Sequence, residues 1–258
     1  MTFQLDRSEV HLWLAFCGDA DRELLHERYR ALMTPEERAR GDRFYFERDR
    51  ARYRVTRALV RTVLSRYAPI APQDWRFDAT SYGQPIIVNA EPEAQSLSFN
   101  LTHTSDLVVL AVTRQRAVGV DTENITRGAL LDVADRFFAP SECEHLWALP
   151  AEAHTTRFFE LWTLKESYIK ARGMGLSIPL HKFAFDLREP GAVSLATLPE
   201  LGDPADRWAL RHLWATPEHP VALCIERHGQ HPEFDLKARR IVPLEGDQAV
   251  DLIASRRN

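Results

Sequence analysis

Apolar and polar residues alternate over "EVHLWLAF" (residues 9–16), where Val10, Leu12, Leu14 and Phe16 share a face. A period of two predicts a strand. The pattern then lengthens to a helical period in "DRELLHERYRALM". In "TPEERARGDRF", Thr34 stands before Pro35, with Glu37 three residues after Thr34. That order is a capping-box helix start. A longer helix is predicted from about 47 to 67, with Ala51, Val55, Ala58, Leu59, Thr62 and Val63 on its inner face. "TSYGQPII" reads as a turn into a strand. "SLSFNLTHT" (96–104) alternates Leu97, Phe99 and Leu101 with Ser98, Asn100 and Thr102. "LVVLAVTRQRAVGVDTEN" reads as two strands joined at about 114–116. Helices are predicted at about 129–138, 141–148 and 152–172, and "FAFDL", "WALRHLWAT" and "VALCIE" as strands of a second sheet. The expected class is α+β, in two similar lobes with a seam near 114–118. The lobes are residues 1–115 and 116–227, followed by a more polar C-terminal extension, 228–258.

The 258 residues suffice for cores in both lobes. A formal net charge of −4 argues against a globally basic nucleic-acid binder. Three widely spaced cysteines, Cys17, Cys143 and Cys224, suggest a reducing compartment rather than a disulfide frame or zinc cluster. No segment approaches a membrane-spanning run, and the N-terminus has no signal-peptide pattern. The expectation is a soluble cytoplasmic protein that acts as a monomer, away from membranes and nucleic acid.

The candidate chemistry lies in carboxylates. In "AVGVDTEN", Val118 and Val120 fall on one strand face, Asp121 and Glu123 on the other. Alone, such a pair reads as solvated acids at a strand end. A third carboxylate changes the picture. In "FFELWTLKESYIKARGMGL", Glu166 shares a helical stripe with Phe159, Trp162 and Ile169, predicted to face inward. An acid in an inner stripe requires compensation. Three carboxylates without histidine or cysteine suit Mg²⁺, or Mn²⁺.

Ten arginines and three acids lie between Arg38 and Arg66. Most belong to a solvated face, but Arg52 continues the stripe of Val55 and Leu59, with Arg48 four residues earlier. A guanidinium at a core margin is a good phosphate ligand. Thr102 and His103 end a predicted strand, where functional loops begin.

Together these motifs resemble the 4′-phosphopantetheinyl transferases of the surfactin-synthetase-activating type. The matching segments are "TPEERARGDRFYFERDRARY", "SYGQPII", "FNLTHT", "VGVDTEN", "RFFAPSE" and "LWTLKESYIKARGMGLSIPL", spanning about residues 30–185. The resemblance implies two pseudo-symmetric α/β lobes with the active site in the cleft between them. It implies transfer of phosphopantetheine from coenzyme A to a serine of an apo acyl or peptidyl carrier protein, releasing adenosine 3′,5′-bisphosphate. It assigns Mg²⁺ to Asp121, Glu123 and Glu166. It assigns coenzyme A phosphates to Lys165, Lys170, Thr102 and His103, and the 3′-phosphate to Arg40 and Arg52. Glu166, Lys165 and Asp121 are the expected catalytic residues, with Glu166 the first candidate for the serine's base. Two positions depart from the family pattern: Glu37 stands where some members carry a phosphate-binding lysine and Gln84 where a lysine is usual, which weakens the implied coenzyme A contacts but not the metal site. The segment Thr126–Phe138, with Leu130, Leu131 and Val133 beside Arg127 and Arg136, reads either as part of the docking surface for the carrier or as lobe core. Two rivals remain: a Mg²⁺-dependent phosphohydrolase using the same acids, and a binding module presenting the arginine-rich helix to nucleic acid.

Overall fold

The computed structural model describes every residue except 1, 2, 130 and 230–232, and the side chain of residue 176. Leu130 of the expected docking segment therefore lies outside the described residues. In chain order the first elements are β1 (Glu9–Phe16), α1 (Glu23–Leu32), α2 (Pro35–Asp42), α3 (Glu47–Leu64), β2 (Phe77–Ala79), β3 (Pro85–Ile87), α4 (Pro92–Gln95), β4 (Leu97–His103) and β5 (Leu107–Arg114). They are followed by β6 (Val118–Thr122), α5 (Ala134–Phe137), α6 (Pro140–Trp147), α7 (Ala151–Arg172), β7 (Phe183–Asp186) and β8 (Ser194–Thr197). The chain ends with β9 (Trp208–Thr216), β10 (His219–Glu226), β11 (Asp235–Val242), β12 (Gly246–Ala249) and β13 (Ile253–Arg257). The fold is α+β.

Two compact units are formed. The first comprises residues 1–79, 85–115 and 235–251. Its sheet has the order β12-β11-β1-β5-β4, with β1 and β11 parallel and the other pairs antiparallel. Helix α3 packs against this sheet and against α1, burying Val55, Ala58, Leu59 and Val63. Ala51 and Thr62, also expected inside, are only half-buried. The predicted capping box is present: Glu37 N–H donates to Thr34 Oγ1 at 3.2 Å, and Thr34 N–H to Glu37 Oε2 at 3.0 Å.

The second unit comprises residues 80–84, 116–234 and 252–258. Its sheet order is β13-β9-β10-β6, all antiparallel, and α7 lies over β6 and β10. Phe159, Leu164, Tyr168, Phe183, Phe185 and Trp208 form its core. Each unit thus places one long helix on one sheet, because a sheet with an apolar face requires a covering layer.

The expected extension 228–258 is not an appendage. Strand β11 enters the first unit's sheet beside β1, and β13 enters the second unit's sheet beside β9. Its polar character misled because both strands are only partly buried, so one side carries arginines. The two strands read from 107 to 123 also differ from a hairpin: β5 pairs with β1 and β4, whereas β6 pairs with β10. The helix expected at 129–138 is shorter, and among the described residues only 134–137 are α-helical.

Candidate active site

Helix α7 is buried almost all round. Its half-buried positions along the middle are Trp162, Glu166 and Lys170, spaced by four residues. The stripe predicted from the sequence is present, with Phe159 and Ile169 buried in it, but it is partly open at Trp162 and Glu166. Glu166 is a half-buried acid at the margin of the core rather than one sealed inside it.

Beneath that stripe runs β6. Residues two apart share a strand face, so Gly119 and Asp121 point the same way. A methyl group on Gly119 would collide with the Ser167 carbonyl and the Ala171 amide of α7. Gly119 therefore allows the helix backbone to approach the strand, and Asp121 is delivered directly to the helix. The Lys170 ammonium donates to Asp121 Oδ1 at 2.7 Å and to the Val120 carbonyl at 3.2 Å. Asp121 is 5% exposed.

Glu123, just past the strand, accepts from Arg127 Nη2 at 2.7 Å. Burial, and then the charge of Asp121, push its carboxyl up to about 7, against the pull of Arg127 and Lys170. The Glu166 carboxyl is raised for the same two reasons, burial first, with Lys170 opposing. Both shifts follow from carboxylates brought out of water and beside a like charge. Asp121, Glu123, Glu166 and Lys170 thus form one electrostatic cluster. The three carboxylates suit a hard divalent cation, with the Lys170 ammonium on Asp121 and the Arg127 guanidinium on Glu123 offsetting part of their mutual repulsion. Among the described residues, however, no three His, Cys, Asp or Glu side chains are grouped closely enough to hold a metal ion as they stand.

Lys165 is not in this cluster. It is 3% exposed, and its ammonium is ion-paired with Glu142 at 2.9 Å. It also donates to the carbonyls of Phe183 at 3.0 Å and Leu180 at 3.1 Å. The expected phosphate contact at Lys165 is therefore corrected: all of its donors are engaged inside the core. Sequence reading missed its partner. Glu142 also accepts from the amides of Ala139 at 2.6 Å and Phe185 at 2.7 Å, which ties α6, α7 and β7 together. The available signal was its position three residues after Ala139, with Pro140 between, which marks a helix start. Gly119 was missed as well, although a lone glycine inside a strand signals close backbone approach.

Gln84 donates to the carbonyl of Lys170 at 3.3 Å, near the end of α7. There Gly173 terminates the helix in the left-handed conformation, φ +65°.

The remaining predicted residues belong to the first unit. Thr102 is buried and His103 exposed at the end of β4. Arg52 is half-buried and paired with Asp49 at 2.8 Å. Arg40 lines a cavity of about 570 Å³ together with Arg57, Arg61, Arg76, Tyr53 and Phe77. Glu37, also on its wall, accepts from Arg57 at 3.1 Å and Arg61 at 2.9 Å. Glu37 thus orders two arginines on the cavity wall.

The family model described as the 4′-phosphopantetheinyl transferase superfamily matches residues 117–224. A second, described as 4′-phosphopantetheinyl transferase, N-terminal, matches residues 23–115. The 4′-phosphopantetheinyl transferase Sfp of Bacillus subtilis is 34% identical over 81% of this chain and 87% of its own length. The chain belongs to the 4′-phosphopantetheinyl transferase family. Another member, the 4′-phosphopantetheinyl transferase HetI of Nostoc, is 33% identical over 88% of this chain and 91% of its own. This phosphopantetheinyl transferase carries its carboxylate cluster within the segment matched by the superfamily model, since Asp121, Glu123 and Glu166 all lie between residues 117 and 224. No helix among its described residues is long and apolar enough to cross a membrane.

Proposed function

We propose that this transferase moves 4′-phosphopantetheine from coenzyme A to a serine of an apo acyl or peptidyl carrier protein, releasing adenosine 3′,5′-bisphosphate. The observation that carries the reading is the cluster of Asp121, Glu123, Glu166 and Lys170 in a member of this transferase family. Asp121, Glu123 and Glu166 would hold Mg²⁺ or Mn²⁺. Such an ion, when bound, neutralises charge on the pyrophosphate. Lys170 supplies a positive group beside the same oxygens and opposes the charge that develops on the leaving bisphosphate.

Glu166 takes the serine's proton. Its half-buried position on the partly open stripe leaves it reachable, and burial raises its affinity for protons. Arg40, within the arginine-lined cavity, is assigned the 3′-phosphate, supported by Arg57 and Arg76 on the same wall. Arg52 joins it at the N-terminal turns of α3, and Thr102 and His103 take the remaining coenzyme A phosphate contacts. The carrier docks on Thr126–Phe138, where Leu131 and Val133 accompany Arg136.

The test is intact-mass spectrometry of apo carrier proteins incubated with the enzyme, coenzyme A and Mg²⁺. One phosphopantetheine per carrier is expected. Glu166→Gln should abolish the addition while leaving the thermal transition in place, because the amide has nearly the shape of the carboxyl and the side chain is half-buried. If no carrier gains mass with the unaltered enzyme, the reading is wrong. Near-normal turnover by Glu166→Gln would remove the base assignment alone.

A further inference from the structure

The linker between α2 and α3, "RFYF" (43–46), is folded so that one aromatic faces in and two face out. Phe44 packs on Tyr53, ring centroids 5.5 Å apart. Its amide donates to the Gly41 carbonyl at 3.2 Å, and its carbonyl accepts from Arg50 Nη1 at 2.9 Å. The turn is thereby fixed, and the next two side chains have nowhere to go but solvent. Tyr45 is 87% exposed and Phe46 52% exposed. They meet edge to face at 5.0 Å, and the Arg48 guanidinium lies over the Phe46 ring at 5.1 Å.

The charge around this pair is unbalanced. Each nearby acid is engaged by a specific arginine: Asp42 by Arg30, Glu47 by Arg50 and Arg54, and Asp49 by Arg52. Arg43 and Arg48 are exposed and form no ion pair with a carboxylate among the described residues. The surface is therefore two preordered aromatic rings between two uncompensated guanidinium groups. Tyrosine, phenylalanine and arginine are the residues enriched at the centres of protein interfaces, and tyrosine and arginine are prominent among those whose loss costs most binding. The rings are held before binding, so little entropy is lost when a partner covers them.

We propose that Tyr45, Phe46, Arg43 and Arg48 form a docking surface for an acidic protein face, and that its occupant is the carrier protein that this enzyme modifies. The patch calls for carboxylates to meet Arg43 and Arg48 around an apolar contact with the two rings, and the carrier is the protein partner that the transfer reaction requires. A nucleic-acid strand fits less well. Stacking needs open ring faces, and Arg48 already covers one face of Phe46. The proposal rests on the transfer reaction argued above and adds a contact on the first unit, separate from Thr126–Phe138.

The test compares unaltered enzyme with Arg43→Glu/Arg48→Glu and with Tyr45→Ser/Phe46→Ser, all at solvent-exposed positions. Each variant should keep its thermal transition and its KM for coenzyme A within about twofold. The KM for carrier should rise about tenfold or more on charge reversal, with a weaker dependence on salt. Arg43→Lys/Arg48→Lys should restore most of the loss. An unchanged carrier KM overturns the proposal, as does a parallel rise in the KM for coenzyme A, which would mark the patch as a nucleotide contact. Loss of binding to single-stranded RNA without a change in carrier KM overturns it too. Because every arm is read against transfer by the unaltered enzyme, failure of the transfer reading shows as no modification at all and is distinct from failure of the patch.

Discussion

Lys165 and Glu166 are adjacent in sequence and serve opposite purposes. One step along a helix turns a side chain by about 100°. That step carries Lys165 into the core against Glu142 and the carbonyls of Leu180 and Phe183, and Glu166 onto the open stripe. Burial drives the Lys165 ammonium toward its neutral form, and Glu142 draws it back. Such a pair contributes little over an apolar substitute, yet breaking it leaves a buried charge unpaired. Lys165→Met should therefore destabilise the protein by about 3–5 kcal/mol, measured by denaturant unfolding. Glu142→Gln in the same chain should recover most of that loss. The KM for coenzyme A of the double variant should stay near that of the unaltered enzyme. A large rise there would return Lys165 to the phosphate site.

At the scale of elements, the site depends on how closely β6 approaches α7. Gly119 sets that distance, and Ser167 and Ala171 are the small residues across from it. Gly119→Ala should push strand and helix apart, at a cost of about 3 kcal/mol or more, because the obstruction is backbone and cannot rotate away. Turnover should fall along with the thermal midpoint. The junction of β9 with β13 supplies a different prediction. His212 is fully buried, with Nδ1 2.7 Å from Ser255 Oγ, and burial, aided by Arg256, pushes its pKa down to about 3. Its neutral form is favoured only in the folded state. The associated stability is whole above about pH 6.5, where the unfolded histidine is also neutral, and is lost as pH falls from there toward 3. The expected slope is about 1.4 kcal/mol per pH unit. Unfolding free energies measured between pH 7 and 4.5 should decline accordingly, and less steeply in His212→Gln.

For the molecule as a whole, the last segment is the decisive architectural feature. Strand β11 supplies β1 with a parallel neighbour, and β13 supplies β9 with an outer partner, so residues 235–258 contribute to both sheets. Arg256 adds hydrogen bonds to the carbonyls of Leu187, Glu189 and Ala192. A chain ending at Phe234 should lose cooperative thermal unfolding and soluble yield, because β1 and β9 become open edges. If the shortened chain melts cooperatively near the temperature of the full one, these strands are dispensable.

The local pattern was enough to place most elements. Strand β1 starts and ends at the residues where alternation does, and the start of α2 follows from Thr34, Pro35 and Glu37. Periodicity and capping are short-range effects, legible wherever the residues that make them are neighbours in sequence. Asp121, Glu123 and Glu166 could likewise be singled out as candidate residues, because the third acid falls in an apolar helical stripe. The partial opening of α7 is not legible in the same way. A helix enclosed on nearly every side has no strong polar face, so spacing alone does not show that the stripe of Phe159, Trp162, Glu166 and Ile169 is open at Trp162 and Glu166. The burial of Lys165, the ordering role of Glu37 and the parallel pairing of β11 with β1 join residues far apart in the chain. Sequence alone determined which elements form and which acids could act. Only the tertiary structure decided which side of α7 is open, which lysine meets Asp121 and which is locked on Glu142, because those outcomes depend on what each side chain finds across the fold.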